Sequence, residues 1–428
     1  MNKLKYFLLD DKNIERDSFL WNMIGSMLMA FQSVIMLMIL TRVLGLVDAG
    51  IFTIAFANAN LFLNIGKYGM RYFQVSDLKR QFSFCEYKAS RVITVVAMLL
   101  TSIVYTLYAA FANTYSVEKT QIIIWMCLFK IVDAVEDIYH GYYQQENRLD
   151  IASKCLALRM LITIIVFSLG LILFKNQLIT LIISTILTTV LFLLFTKWTL
   201  GVFHKSVSKP DFKNVVLLLK LCFPLFAGAF LSFYIGNAPK YAIDANLSDS
   251  LQACYGFIAM PVFVIGLLNS FIFNPMLYKM TRLWNSGKVK AFVIQTFIQS
   301  GLVGVITIVC IAGAYLLGIP VLSWLYNTDL TPYKAELLIL LLGGGFLGLS
   351  GLLNAFITII RYQKRIMWGY AFIAILAFLF SNRIVEKYKM LGAAVLYTAL
   401  MGSLCIIFII LFTYGVMKKR KGVEKILG

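Results

Sequence analysis

Residues Ile39 to Ala59 read ILTRVLGLVDAGIFTIAFANA. The stretch leaves a long apolar run, crosses a short segment that carries Arg42 and Asp48, and re-enters apolar sequence at once. A soluble core has no use for such a junction, whereas an apolar run of about 20 residues matches a hydrocarbon layer roughly 30 Å thick. Two membrane-spanning helices joined by a short charged loop are expected.

The rest of the chain agrees with this hairpin. Its 428 residues are 60% hydrophobic and 14% charged, with a mean hydropathy of +0.83. Such a chain cannot cover itself with a water-compatible surface and needs lipid as its solvent. The formal net charge of +19 would suggest nucleic acid in a soluble protein. Here the basic residues fall between apolar runs, so positive-inside topology accounts for most of the charge and no nucleic-acid partner is implied. The N-terminal MNKLKYFLLDDKNIERDSF mixes both signs and lacks an apolar core, so no cleavable signal is expected and the first span inserts the chain. The seven cysteines lie mostly inside apolar runs without a CxxC pair. Neither disulfide, metal nor cofactor is expected.

Apolar runs and polar breaks define twelve spans: Ser18 to Ile39, Ala49 to Gly66, Ala89 to Phe111, Gln121 to Tyr139, Ala152 to Leu173, Leu178 to Trp198, Val215 to Gly236, Leu251 to Phe273, Ala291 to Leu317, Ala335 to Ile360, Met367 to Val385 and Leu391 to Val416. The expected class is all-α, a polytopic membrane protein. Lysine and arginine crowd into alternate segments, with Arg91, Arg148, Lys154 and Arg159 assigned to the basic side, which puts both termini in the cytoplasm. The basic connector from Lys197 to Lys213 suggests an N-terminal lobe over 1–198, a cytoplasmic linker over 199–214 and a C-terminal lobe over 215–428. A faint repeat, an acidic loop from Lys240 to Asp249 after the seventh span, supports two six-helix lobes.

A span ending TRVLG, then DAGIF, then a second span bearing asparagines resembles the first hairpin of bacterial polysaccharide flippases. These belong to the multidrug/oligosaccharidyl-lipid/polysaccharide exporter superfamily. The resemblance extends over most of the chain in span number and polar landmarks. It implies a MATE-like fold and an undecaprenyl-pyrophosphate-linked oligosaccharide as substrate, with the lipid tail left in the bilayer. It also implies a bacterial cytoplasmic membrane, and a polymerase and glycosyltransferases of the same pathway as partners.

Ionisable and amide side chains inside spans are costly unless they face water or each other. Asn60, Asn64, Lys67 and Arg71 fall at i, i+4, i+7 and i+11, one face of a helix. They read as a polar stripe lining a cavity, or as amides that bond neighbouring helices beside cations that obey the positive-inside rule. Lys130, Asp133 and Asp137 share a face of the fourth span, with Glu136 beside them. Either Lys130 and Asp133 neutralise one another, or the acids exchange a coupling ion while Lys130 meets phosphate. In the seventh span Pro224 and Gly228 suggest a bend, and Asn237, Lys240 and Asp244 share a face. Arg42 and Lys240 read as matched cations of the two lobes, with Asp48 and Asp244 as resting partners, or as snorkelling side chains. In the tenth span Gly343, Gly344, Gly345, Gly348 and Gly351 read as packing, and Asn354 with Arg361 as a further polar pair. The run lacks the lysine of a phosphate-binding loop, and no ATP hydrolysis is expected. The aromatic run DIYHGYYQQENR suggests a headgroup belt or a surface for sugar rings. His140 and His204 are too far apart in sequence to argue a metal site.

Three functions remain. The first is a flippase whose cavity cations Arg42, Lys67, Lys130 and Lys240 match a pyrophosphate, working by alternating access. The second is a cation-coupled drug antiporter using Asp133 and Asp48. The third is a membrane-embedded glycosyltransferase or polymerase. A cationic cavity favours the first. The third is ranked last, because the longest outer loop, near Pro320 to Lys334, is short. The chain is therefore expected not to be an enzyme.

Overall fold

The computed structural model describes residues 2–77, 79–203 and 209–427. Among them there is no strand; the protein is all-α. His204 and Lys205 lie outside the described residues. The helices are α1 (Asn2–Leu9), α2 (Ile14–Leu44), α3 (Leu46–Lys67), α4 (Met70–Ser76), α5 (Phe84–Ala112), α6 (Val117–Gln145), α7 (Leu149–Phe174), α8 (Gln177–Thr199), α9 (Phe212–Asn246), α10 (Asp249–Asn285), α11 (Val289–Gly313), α12 (Ile319–Tyr326), α13 (Lys334–Ile359) and α14 (Gln363–Leu427). The last is broken at Lys389, whose backbone leaves helical geometry.

Ten stretches are long and apolar enough to cross a membrane. One of them, Arg365–Lys418, runs through the Lys389 break and so contains two helices. The charges of Lys130, Asp133, Glu136 and Asp137 keep α6 out of this set. Each of the twelve expected spans thus falls on a helix, and the chain is a multi-pass membrane protein.

Helix α5 shows the physics. Val92, Val96, Leu100 and Val104, four residues apart, are exposed, while Ser90, Arg91, Thr94, Ser102 and Thr106 are buried. Apolar side chains point outward and polar ones inward. Water would not tolerate that arrangement along several helices, and lipid demands it.

The chain divides into two compact units, Met1–Phe230 and Leu231–Gly428. In the first, α3 is the central helix: 72% of its most apolar window is buried, against 28% for α2 and for α5. The start of α9 packs with this unit, since Leu218 and Cys222 join Met70, Phe82 and Tyr87 in one cluster. Asn214 Nδ2 also donates to Glu86 Oε1 at 2.6 Å. Glu86 and Ser83 form the capping box that starts α5.

Several junctions are tighter than expected. The loop foreseen around Arg42 and Asp48 is one residue, Gly45, at φ 95° and ψ −168°. Only glycine adopts that backbone readily, so α2 continues through Arg42 to Leu44 and α3 begins at Leu46. Arg42 then occupies the last turn of α2 and Asp48 the first turn of α3, the ends whose dipoles favour those charges. The acidic loop expected from Lys240 to Asp249 is likewise only residues 247–248. Pro320 is not in a loop either: α11 runs through a π-turn at Ala314–Gly318 into α12, which carries proline in its first turn, where its missing N–H does least harm.

In the second unit the glycines of α13 allow close helix approach. A Cβ on Gly343 would lie 2.6 Å from Tyr397, and one on Gly345 2.5 Å from Thr307. Packing explains them.

Candidate functional site

Lys130, Asp133, Glu136, Asp137 and His140 occur over three turns of α6 and converge on one side of the helix. Each ionised group meets a partner on another element or on its own. Lys130 Nζ lies 2.9 Å from Asp133 Oδ2 and donates to Gln32 Oε1 of α2 at 3.0 Å. Arg159 of α7 makes a fork with Glu136, from Nε to Oε1 at 3.0 Å and from Nη2 to Oε2 at 2.6 Å. Its Nη2 also reaches Asp133 Oδ1 at 2.7 Å, and its Nη1 donates to Thr188 Oγ1 of α8 at 2.8 Å. Arg91 of α5 pairs with Asp137 at 3.0 Å and donates to the backbone oxygen of Gly66. His140 Nε2 stands 3.6 Å from Glu136. Lys130, Arg159 and Arg91 are at most 3% exposed.

Burying such charges costs several kcal/mol each unless every one is paired and hydrogen-bonded. Every buried charge of the network has an ion-pair partner, with Arg91 Nε left without a hydrogen bond, and the network leaves something over. A cavity of about 80 Å³ opens on this network, walled by Asn22, Ser26 and Met29 of α2, by Ser153, Leu156 and Arg159 of α7, and by the α6 carboxylates. Lys67 at the end of α3 and Arg71 on α4 complete the wall. Asp137 is matched by Arg91, Asp133 by Lys130 and Glu136 by Arg159, so the charges of Lys67 and Arg71 are surplus. Neither has a carboxylate at ion-pair distance among the described residues, and Arg71 Nη2 bonds only the neutral Gln144, at 3.2 Å. Ser153 Oγ, buried against the cavity, makes no hydrogen bond within the protein. Two cations and an unbonded hydroxyl thus face one small polar space, a donor set whose charge is complementary to an anion.

The expected residues are therefore redistributed. Lys67, Arg71, Asp133 and Asp137 meet at the cavity. Lys130 does not line the cavity and is paired with Asp133 behind its wall. The stripe from Asn60 to Arg71 is not one helical face: α3 ends at Lys67, and Tyr68 and Gly69 both adopt left-handed backbone before α4. Lys67 and Arg71 converge across that elbow. The side-chain amides of Asn60 and Asn64 donate within α3 itself. Each donates to the carbonyl four residues back, Phe56 and Asn60, at 2.8 Å. Arg42 is exposed at the end of α2 and Asp48 is half-buried, apart from this cavity. Lys240 and Asp244 lie on α9 in the second unit, which also contains Asn354 on α13 and Arg361 just past its end. Arg361 is exposed with φ 62°, past the end of α13, so it does not continue the helical face of Asn354.

Arg91, Lys154 and Arg159, expected among the cations of the basic side, are buried helix residues instead. Carboxylates replace water as their solvent: Lys154 Nζ pairs with Asp17 at 2.8 Å, and the other two bind α6. The aromatic run of α6 also turns inward. Tyr142 stacks on Phe84 with centroids 4.3 Å apart, and the Tyr143 hydroxyl bonds Thr199 at 2.8 Å. These rings brace neighbouring helices. At the α6–α7 junction, the Asp150 carboxylate bonds Arg148 twice at 3.0 Å and raises its already high pKa.

No protein-family model matches the sequence, and no curated protein matches it. Solved structures do match over nearly the whole chain. The lipid II flippase MurJ in an inward closed conformation aligns with a TM-score of 0.69 at 15% identity, over 93% of this chain and 90% of that one. An inward-facing multidrug resistance MATE family transporter of the MOP superfamily aligns with a TM-score of 0.67 at 12% identity, over 92% of this chain and 95% of that one. A eukaryotic MATE transporter aligns at 0.61 and 13%, over 96% and 100%. The chain has the fold of these transporters. The shared fold includes a lipid flippase and multidrug transporters alike, so substrate class has to be argued from this chain's own side chains.

Proposed function

We infer that the protein is a flippase that carries an undecaprenyl-pyrophosphate-linked oligosaccharide from the cytoplasmic to the outer leaflet of a bacterial cytoplasmic membrane. The reaction serves cell-surface polysaccharide synthesis, with glycosyltransferases supplying the substrate and a polymerase consuming it. One observation carries this reading. The cavity of the first unit holds two cations, Lys67 and Arg71, beyond those that neutralise its carboxylates. An antiporter for cationic drugs needs a carboxylate free to bind the drug or the driving ion, and here Asp133 and Asp137 are both committed to internal cations. A pyrophosphate head has the opposite need, a set of donors that replaces its hydration shell.

The cavity admits a small anion or a few waters, so the sugars are accommodated elsewhere and only the phosphate enters. Alternating access then means that this pocket opens to one leaflet and afterwards to the other. No bond is made or broken, and none of the named groups acts as a catalyst.

The test uses purified protein in detergent. Inorganic pyrophosphate is expected to raise the unfolding midpoint, and a cationic dye of drug size to leave it unchanged. Lys67→Gln with Arg71→Gln should abolish the pyrophosphate effect, cause lipid-linked precursor to accumulate in cells, and leave the basal midpoint close to that of the parent. Stabilisation by the dye and not by pyrophosphate would reverse the assignment.

A further inference from the structure

Lys67 and Arg71 reach one cavity although they sit on different helices, and something has to hold the bend between them. Tyr68 at φ 52° and Gly69 at φ 66° form that bend. For tyrosine the left-handed conformation is unfavourable by itself, so the surroundings must impose it. The helix before the bend is fixed at Gly66. A Cβ there would lie 2.7 Å from Met98 Sδ and 2.8 Å from Ala134 Cβ, so α3 is tightly packed against both α5 and α6 at this point. The Gly66 carbonyl is one of the last four of α3, which have no acceptor role inside the helix. It accepts from Arg91 Nη1 and, at 2.9 Å, from Thr94 Oγ1, both on α5. Beyond the bend, α4 is clamped to α6: Gln145 Nε2 donates to the Gln74 carbonyl at 2.6 Å, and Gly141 leaves no room for a Cβ beside the Gln74 amide.

We propose that Arg91 is the positioning residue of the cavity: by capping the Gly66 carbonyl while pairing Asp137, it fixes the Tyr68–Gly69 elbow and sets Lys67 and Arg71 against one ligand. The nature of that ligand, a phosphate-bearing anion, rests on the reading under Proposed function. The elbow itself does not. Arg91 never touches the cavity's contents; it acts through backbone and through Asp137. One guanidinium thus holds the end of α3 and the sixth turn of α6 in register, which lysine, with its single point charge, cannot do.

The decisive variant is Arg91→Gln with Asp137→Asn. It removes one charge of each sign and so leaves the cavity's surplus unchanged, while the cap is lost. Pyrophosphate binding should weaken roughly tenfold, as expected for loss of one charged hydrogen bond's worth of positioning. A readout free of any ligand comes from a nitroxide at Tyr72→Cys, on α4 and 80% exposed, after the partly accessible Cys85 and Cys310 are changed to serine. In the double variant its spectrum should shift toward the mobile limit. Should that variant fail to fold, Thr94→Val and Gly141→Ala disturb the two ends of the same clamp without altering charge, and the same mobile shift is expected. A label spectrum identical to the parent's in these variants overturns the proposal, whatever happens to pyrophosphate. If the parent binds no pyrophosphate, the anion reading falls, and the label still decides the role of Arg91.

Discussion

Arg91, Lys130, Asp133, Glu136, Asp150, Lys154 and Arg159 are buried in the first unit, whereas the buried polar residues of the second, among the described residues, are neutral: Gln252, Asn269, Thr296, Gln299, Thr307, Ser350 and Ser381. Both units consist of apolar helices of similar length, and the second is held together by close contacts at the α13 glycines. Packing of that kind suffices for stability. A buried ion network is weak evidence for stability, because hydrophobic replacements of similar shape often serve as well. The charges of the first unit therefore point to a task the second does not share, and the fold's two halves are unequal in chemistry.

The largest expected effect tests whether the network is one body. Arg159→Ala leaves Glu136 without its fork and Asp133 with Lys130 alone, and should cost about 3–5 kcal/mol. The unfolding midpoint in detergent and the amount inserted in membranes measure it. Arg159→Lys should lie between parent and Ala, since charge is kept and the fork is lost. A neutral alanine variant would mean that water already enters the network, and the contrast between the units would shrink to one of composition.

The next effect separates structure from binding at Lys130. Lys130→Ala should destabilise by about 3 kcal/mol by stranding Asp133 beside Arg159 alone. Lys130→Ala with Asp133→Ala should recover most of the loss, because Arg159 retains Glu136, and pyrophosphate binding should survive in the double variant. If stability returns and pyrophosphate binding does not, Lys130 belongs with the ligand after all.

Spans and their order were legible because each apolar run states its own length, and lipid leaves helix as the answer. The position of Asp133 and Asp137 on one face was legible from spacing alone. Partners were not. Arg159 lies well inside the run Ala152 to Leu173, where any cation demands a carboxylate, a signal that the tally of basic residues by side of the membrane hides. The Arg91 cap gives no such signal, because its acceptor is a backbone carbonyl whose availability depends on where α3 ends. That end depends in turn on Tyr68 adopting a left-handed backbone, which tertiary contacts enforce and local sequence does not announce. Extending the helical face from Asn60 to Arg71 failed for this reason, although it named both of the cations that line the cavity.

The smallest effects are expected at Arg42 and Lys240, the cations once matched across the two halves. Arg42 is exposed in the last turn of α2, where it is favourable to the helix dipole, and it lines no part of the cavity of Lys67 and Arg71. Lys240 is half-buried in the second unit, among whose fully buried residues every polar side chain is neutral in the described residues. Arg42→Gln and Lys240→Gln should each leave precursor export near the parental level once normalised to protein in the membrane, with an unfolding midpoint lowered by no more than about 1 kcal/mol equivalent. Lys67→Gln measured beside them supplies the scale. Should Lys240→Gln stop export as completely as Lys67→Gln does, substrate would have to be held by charge in both units, and the asymmetry drawn from their interiors would describe folding alone and say nothing of transport.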